Sequence, residues 1–325
     1  MMEKIYFYFP EGSWSHICEQ DLMISLRNHG QEVGLQVTNS FDEATHVFIS
    51  AGAPIWASVK FDGDFLKAIQ ESSKSVIIGE QHEYGWRAYG YGEGEFSLLT
   101  YSDKLLQTTA YKPEYKYQPL QEMLLRFIEN GRRFIYFKRE ILKSVEYPNN
   151  FFPFSFTCHE DIGYPYSFDD FVNRPYDLTV IWGESNPHRK LMMQRLIDSF
   201  PTNVFLKTVR SYDTNALPRV EYVKRHCEGR AFISADGHGL GDARLIDLTR
   251  FAAPFRKESL MVLRDDFVNG HSIVEFPLSG AADEFGCILP DLDIMIDTIK
   301  KHLEDKELLY LIYVNAFNHL KECHG

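Results

Sequence analysis

The stretch RAFISADGHGLGDARLIDL, Arg230 to Leu248, places Gly237, Gly239 and Gly241 at alternate positions after a short apolar run. Asp242, Arg244 and Asp247 follow, spaced as on the first turns of a helix. A strand, a glycine turn and a helix start, in that order, can cradle a phosphate. Glycine admits φ > 0 and lets a ligand approach closely. The helix start offers free N–H groups and partial positive charge. Arg244 would add a charge-assisted bond. Asp247, one turn further on, would accept hydrogen bonds from ribose hydroxyls. A plain tight turn with Asp242 as helix cap accounts for the same residues, and the pattern leaves both readings open.

A second segment repeats the arrangement. VIWGESNPHRKLMMQR, Val180 to Arg195, runs from a strand through Gly183 into a helix start carrying Asn186, His188, Arg189 and Lys190. Cations beside helix N–H groups suit a diphosphate, although a solvated first turn would look the same. Both segments would open at the carboxyl ends of strands, where ligands of open α/β sheets bind. A third segment, YFKREIL, carries Lys138, Arg139 and Glu140. This is either an anion contact or a surface ion-pair cluster. A dinucleotide reading of GHGLGD also arises, with Asp265 about 24 residues past Gly241 as the ribose acid. The third glycine is one position early, and too few residues follow to complete a six-stranded sheet.

The elements that must position these residues alternate. KIYFYF, EVGLQV, HVFISA and SVIIGE read as strands; HICEQDLMISLRNHG and DFLKAIQESS read as helices, the first stopped by Gly30. LQEMLLRFIENG reads as an amphipathic helix and RRFIYFKREIL as a strand. YPNNFFPFSF, with two prolines, reads as extended linker. Alternation then restarts with strands YDLTVIWG, NVFLKTV and RAFISA. Between them lie helices NPHRKLMMQRLIDSF and LPRVEYVKRHCEG, the second ending on Gly229 as a stop. Two helical segments close the chain. The expected fold is α/β, with two Rossmann-like domains of parallel sheets flanked by helices. The expected boundaries are an N-terminal domain over 1–150, a linker over 151–170, a C-terminal domain over 171–305, and a helix over 306–325 that packs back on the N-terminal domain.

A chain of 325 residues with net charge −12 argues against a broad nucleic-acid surface, which needs clustered Lys and Arg. Five scattered cysteines (18, 158, 227, 287 and 323) suit a reducing cytoplasm rather than a disulfide framework or a zinc site. No apolar run reaches the roughly 20 residues of a membrane span. The N-terminal MMEKIYFYFP reads as a first strand rather than a signal peptide.

The order of YFKRE, FPFSF, NPHRK and DGHGLGDARLIDLTRFAAP resembles a family of bacterial and viral glycosyltransferases with the two-domain GT-B fold and a group 1-like C-terminal domain. The resemblance covers roughly residues 130–325. It implies a nucleoside-diphosphate sugar held mainly by the C-terminal domain, as co-substrate and without a resident cofactor. Asn186 and Arg189 would match an Asn-x-x-Arg element near the diphosphate. Arg244 and Asp247 would match an Arg-x-x-acid element near the ribose or sugar, with Asp where relatives commonly carry Glu. Gly237, His238 and Gly239 would form the cradle, with Lys138 as a further donor contact. The acceptor would be a glycan or another hydroxyl.

No motif of the family covers the N-terminal half. There GEQHEYGWR and PEGSWSH supply polar residues after strands. An inverting transfer needs a general base for the acceptor hydroxyl. His82 and Glu83 are the chosen pair, beside Glu80, with His16 in reserve; exposed loop polars would look the same. Two DxD triplets, Asp62 to Asp64 and Asp291 to Asp293, match the pattern of metal-dependent transferases, but both sit where helices begin and read as caps. The transfer is therefore expected to be metal-independent. A non-catalytic nucleotide- or glycan-binding protein of the same fold is the alternative, and a nucleotide-dependent oxidoreductase a lesser one.

Overall fold

Apolar strands alternating with helices build two separate parallel sheets. The computed structural model describes residues 2–11, 17–52, 61–80, 118–138, 141–143, 149–154, 162–183, 187–209, 217–235, 243–259, 261–262, 266–282 and 288–323. The chain divides into two units. The first is Met1–Ser155 with Met261–Arg264, and the second is Phe156–Leu260 with Asp265–Gly325.

The first unit runs β1 (Glu3–Tyr8), α1 (Ile17–His29), β2 (Leu35–Thr38), β3 (His46–Gly52), α2 (Gly63–Glu71), β4 (Ser75–Glu80), α3 (Gln118–Glu129), β5 (Phe134–Lys138), β6 (Ile141–Leu142) and β7 (Phe151–Pro153). Six of these strands form one sheet in the order β2-β1-β3-β4-β5-β7, every neighbouring pair parallel. Side chains alternate across a strand. Val47, Ile49, Val76, Ile78 and Tyr136 therefore meet Leu66 and Ile69 of α2 and Leu120, Met123 and Phe127 of α3. Ile5, Phe7 and Phe48 meet Leu22 and Leu26 of α1 on the other side.

Two expectations are corrected here. In EVGLQV only Leu35 onward is strand. Gly30–Val33 forms a 3-10 turn, and Gly34 at φ 75° turns the chain into β2. Gly30 is more than a helix stop, because a Cβ there would lie 2.5 Å from the Leu35 carbonyl oxygen. The segment read as linker supplies β7, an edge strand on β5, with the Phe151 ring stacked 4.6 Å from Tyr136. Proline is tolerated at an edge, where its missing N–H breaks no ladder bond.

The second unit holds α4 (Phe168–Val172), β8 (Tyr176–Gly183), α5 (Pro187–Ser199), β9 (Val204–Val209), α6 (Arg219–Cys227), β10 (Gly229–Ser234), α7 (Ala243–Thr249) and β11 (Ala253–Lys257). β12 (Met261–Val262) belongs to the first unit and pairs antiparallel with β6. Then come β13 (Val274–Phe276), the hairpin of β14 (Leu278–Ala282) and β15 (Ile288–Pro290), α8 (Leu292–Glu304) and α9 (Lys306–Cys323). The sheet order is β13-β11-β10-β8-β9, all parallel.

Every residue of β10 and β11 is buried, as parallel strands covered on both faces require. Ala253 and Pro254 open β11. Gly229, read as a helix stop, is the first residue of β10, and a Cβ there would fall 2.3 Å from Thr179 Oγ1. Helix α9 places its apolar face inside this unit. Leu309, Ile312, Tyr313 and Phe317 join the core around Trp182, while Ala316 and Leu320 join the core around Phe232.

Candidate functional site

Strand order defines where a ligand can bind. From β8 the chain passes through α5 to β9 on one side, and from β10 through α7 to β11 on the other. β8 and β10 are adjacent and parallel. Their carboxyl ends therefore flank a topological switch point, the place where open α/β sheets bind ligands. Helix packing agrees. Met192, Met193 and Leu196 of α5 share a core with Ala231 and Ile233, while Leu245, Ile246 and Leu248 of α7 share one with Phe232. Alternate residues of β10 face opposite ways, so α5 and α7 lie on opposite faces of the sheet. Helix α5 begins at Pro187, soon after β8 ends at Gly183, and the first N–H groups of a helix have no partner inside it.

The two strand ends are tied together. Trp182 Nε1 donates to the Ile233 carbonyl at 3.1 Å. Arg189, 5% exposed in the first turn of α5, donates from Nη2 to the Ala235 carbonyl at 2.8 Å and from Nη1 to the Gly183 carbonyl at 3.4 Å. Pro187 opens α5, where a fixed φ and an absent N–H do no harm. The side chain expected to meet a diphosphate thus also braces the chain that would hold it.

Asp247 is half-buried on α7, with Oδ2 3.5 Å from Arg219 Nη2 at the start of α6. Sequence reading gave Arg219 no role. Arg244 is the second residue of α7 and Lys138 the last of β5, where it pairs in register with Glu80. The side chains of Arg244 and Lys138 fall outside the described residues. Asn186, Gly237, His238, Gly239, His82, Glu83, His16 and Asp265 also lie outside them.

Sequence reading missed a charged group at the far strands of this sheet. Arg256, buried in β11, donates from Nε to Glu275 Oε1 at 2.8 Å and from Nη2 to Asp266 Oδ2 at 2.9 Å. Burial works against its charge, but the two carboxylates outweigh burial and hold the guanidinium above its ordinary value. The signal was Arg256 directly after the apolar start of APFRK, ahead of Lys257.

The first sheet repeats the topology. β1 leads through α1 to β2, and its neighbour β3 leads through α2 to β4 on the other side. The switch point lies between β1 and β3. Sequence reading chose the segments after β1 and β4, so it passed over residues 53–60, which follow β3. It also missed Glu19. This carboxylate is buried in the first turn of α1, and a Cβ on Gly79, near the end of β4, would come 3.2 Å from its Cγ.

The DxD triplets are caps. Asp62 accepts hydrogen bonds from the N–H groups of Asp64 and Phe65, and Asp291 from those of Asp293 and Ile294. Asp293 is further engaged by Arg195. Among the described residues no group of three or more metal-ligating side chains converges, and no helix is long and apolar enough to cross a membrane. Compared with known proteins, the chain matches no family model and no curated relative.

Proposed function

We propose that the protein is a GT-B-type glycosyltransferase. It moves a sugar from a nucleoside diphosphate to an acceptor hydroxyl, most simply that of a glycan. One observation carries the reading. The two segments whose residue types suit a diphosphate and a ribose leave adjacent strands, β8 and β10, at the switch point of the second sheet. Asn186 and Arg189 then serve the diphosphate from one side, and Gly237, His238, Gly239 and Arg244 from the other. Asp247 takes the ribose or sugar hydroxyls, and Lys138 adds a cation.

The chemistry asked of these groups is electrostatic. Transfer leaves negative charge on the departing diphosphate. Helix N–H groups and guanidinium groups fixed in advance stabilise that charge without a metal. His82 and Glu83 are the proposed base pair for the acceptor hydroxyl. The protein has no resident cofactor in this account. A cytoplasmic location goes with it, on the five scattered cysteines.

A second reading, a non-catalytic nucleotide- or glycan-binding protein, draws on one contact. Asp247 lies against Arg219, as a carboxylate with a purely structural role would. Turnover separates the two readings. The full chain is incubated with UDP-, GDP-, ADP-, CDP- and TDP-sugars in EDTA, and release of nucleoside diphosphate is followed by chromatography. Release from one donor, lost in Arg244→Ala, supports the transferase. Binding of a donor with no release supports the binding protein.

A further inference from the structure

The second unit carries an excess of buried cationic donors at the end of its sheet opposite the switch point. Arg230, the second residue of β10, is 3% exposed. Its Nη2 is engaged by Asp177 Oδ1, from the second residue of β8. Its Nε and Nη1 are buried and meet no hydrogen-bond acceptor among the described residues. A guanidinium cannot shed its proton to escape burial. Asp177 supplies a counter-charge and an acceptor for Nη2, but the Nε–H and Nη1–H groups need acceptors of their own.

The two carboxylates of α6 and of the turn into β10 are engaged elsewhere. Glu221 and Glu228 are both taken by Arg225, at 2.8 Å and 2.9 Å. A second cation, Arg174, lies 4.3 Å from the centroid of the Tyr166 ring. Arg174 donates from Nη1 to the carbonyls of Gly229 (2.7 Å) and Phe251 (2.5 Å), where β10 and β11 begin. Its Nη2 too is buried without an acceptor among the described residues. Burial pushes this guanidinium below its ordinary value, which is the direction an added anion would reverse.

We propose that Arg230 is the anchor of an oxyanion site at the start of β8 and β10, taking a phosphate or sulfate group beside Asp177. A tetrahedral oxyanion offers several acceptors to the unpartnered side of a guanidinium fork. Asp177, with its side chain 32% exposed, marks the route from solvent. The site is separate from the proposed donor site, because it lies at the amino ends of the strands.

The test is equilibrium dialysis of the full chain against labelled phosphate at constant ionic strength, with sulfate as competitor and melting temperature read in parallel. Saturable binding near one per chain is expected, together with a rise in melting temperature. Asp177→Asn removes the competing negative charge, so it should tighten phosphate binding about tenfold, the equivalent of one charge-assisted bond. Arg230→Met should abolish binding. Arg244→Ala should leave it unchanged, which separates this site from phosphate at the donor site. No saturable binding, binding lost in Arg244→Ala, or binding unmoved or weakened in Asp177→Asn would overturn the proposal. The Asp177→Asn arm holds even if Arg230→Met fails to fold.

Discussion

Arg189 Nη2 lies 2.8 Å from the Ala235 carbonyl oxygen, so the helix that follows β8 is bonded to the chain leaving β10. One side chain therefore sets the spacing of the two segments that flank the switch point. Its loss should be felt in stability before it is felt in any ligand. Arg189→Met would leave the carbonyls of Ala235 and Gly183 short of donors inside the protein, at a cost of about 2–3 kcal/mol. Arg189→Lys should recover little, because a single ammonium cannot span two carbonyls as the fork does. Urea unfolding of the two variants checks this; an unchanged midpoint in either would show that the bond does not brace the site.

Gly229 is held to glycine by Thr179. A Cβ at that position would lie 2.3 Å from Thr179 Oγ1 and 2.9 Å from its Cβ. Gly229→Ala should destabilise by about 1–3 kcal/mol through overpacking. Adding Thr179→Ala removes the nearer atom and should restore part of the loss. Denaturant midpoints of the two single variants and the pair measure the coupling. Purely additive effects would contradict the clash.

Tyr313 carries a pH dependence. Burial, the largest cause, pushes its hydroxyl up to about 12, against an unfolded value near 10. The folded state thus binds the proton more tightly than the unfolded chain. The stabilisation is fully present below about pH 10 and is lost as pH rises toward 12, by roughly 2.7 kcal/mol at most for a shift of about two units. Tyr313→Phe removes a hydroxyl that accepts from the Tyr166 N–H and donates to the Arg250 carbonyl. It should cost about 1 kcal/mol at neutral pH and flatten the alkaline slope. An unaltered slope would contradict the assignment.

Asp62 and Asp291 should behave as helix caps. Replacing either with Ala should cost about 1 kcal/mol, and replacing it with Asn far less. Neither change should alter the response of melting temperature to Mg²⁺, Mn²⁺ or EDTA. A metal-dependent stability lost in Asp291→Ala would return the DxD reading to consideration.

The fold was legible wherever apolar period and capping agreed. HVFISA, SVIIGE, YDLTVIWG and RAFISA are central strands, and the Asp62 and Asp291 caps follow from an acid before an apolar helix. Edges were harder. β7 contains Pro153 and reads as linker because only its pairing with β5, a non-local fact, makes it a strand. Gly30 and Gly229 read as stops because the atoms that exclude a Cβ, the Leu35 carbonyl and Thr179 Oγ1, come from elsewhere in the chain. At the candidate site, Arg189 was legible as a cation at a helix start. Its bond to Ala235 was not, since that depends on β8 and β10 being neighbours. The choice of the segment after β4 over that after β3 has the same cause: sequence order does not reveal strand order.

The most direct test of the central claim is the melting temperature of the full chain against UDP, GDP, ADP, CDP and TDP, their sugar conjugates and NAD, each with and without EDTA. The account predicts that one nucleoside diphosphate, at a hundred times its dissociation constant, adds about 2.7 kcal/mol of stability. The shift should be unaffected by EDTA and absent in Arg244→Ala, whose own melting temperature stays near that of the parent. No shift with any nucleoside diphosphate, or an equal shift in Arg244→Ala, would contradict a donor site at the switch point between β8 and β10.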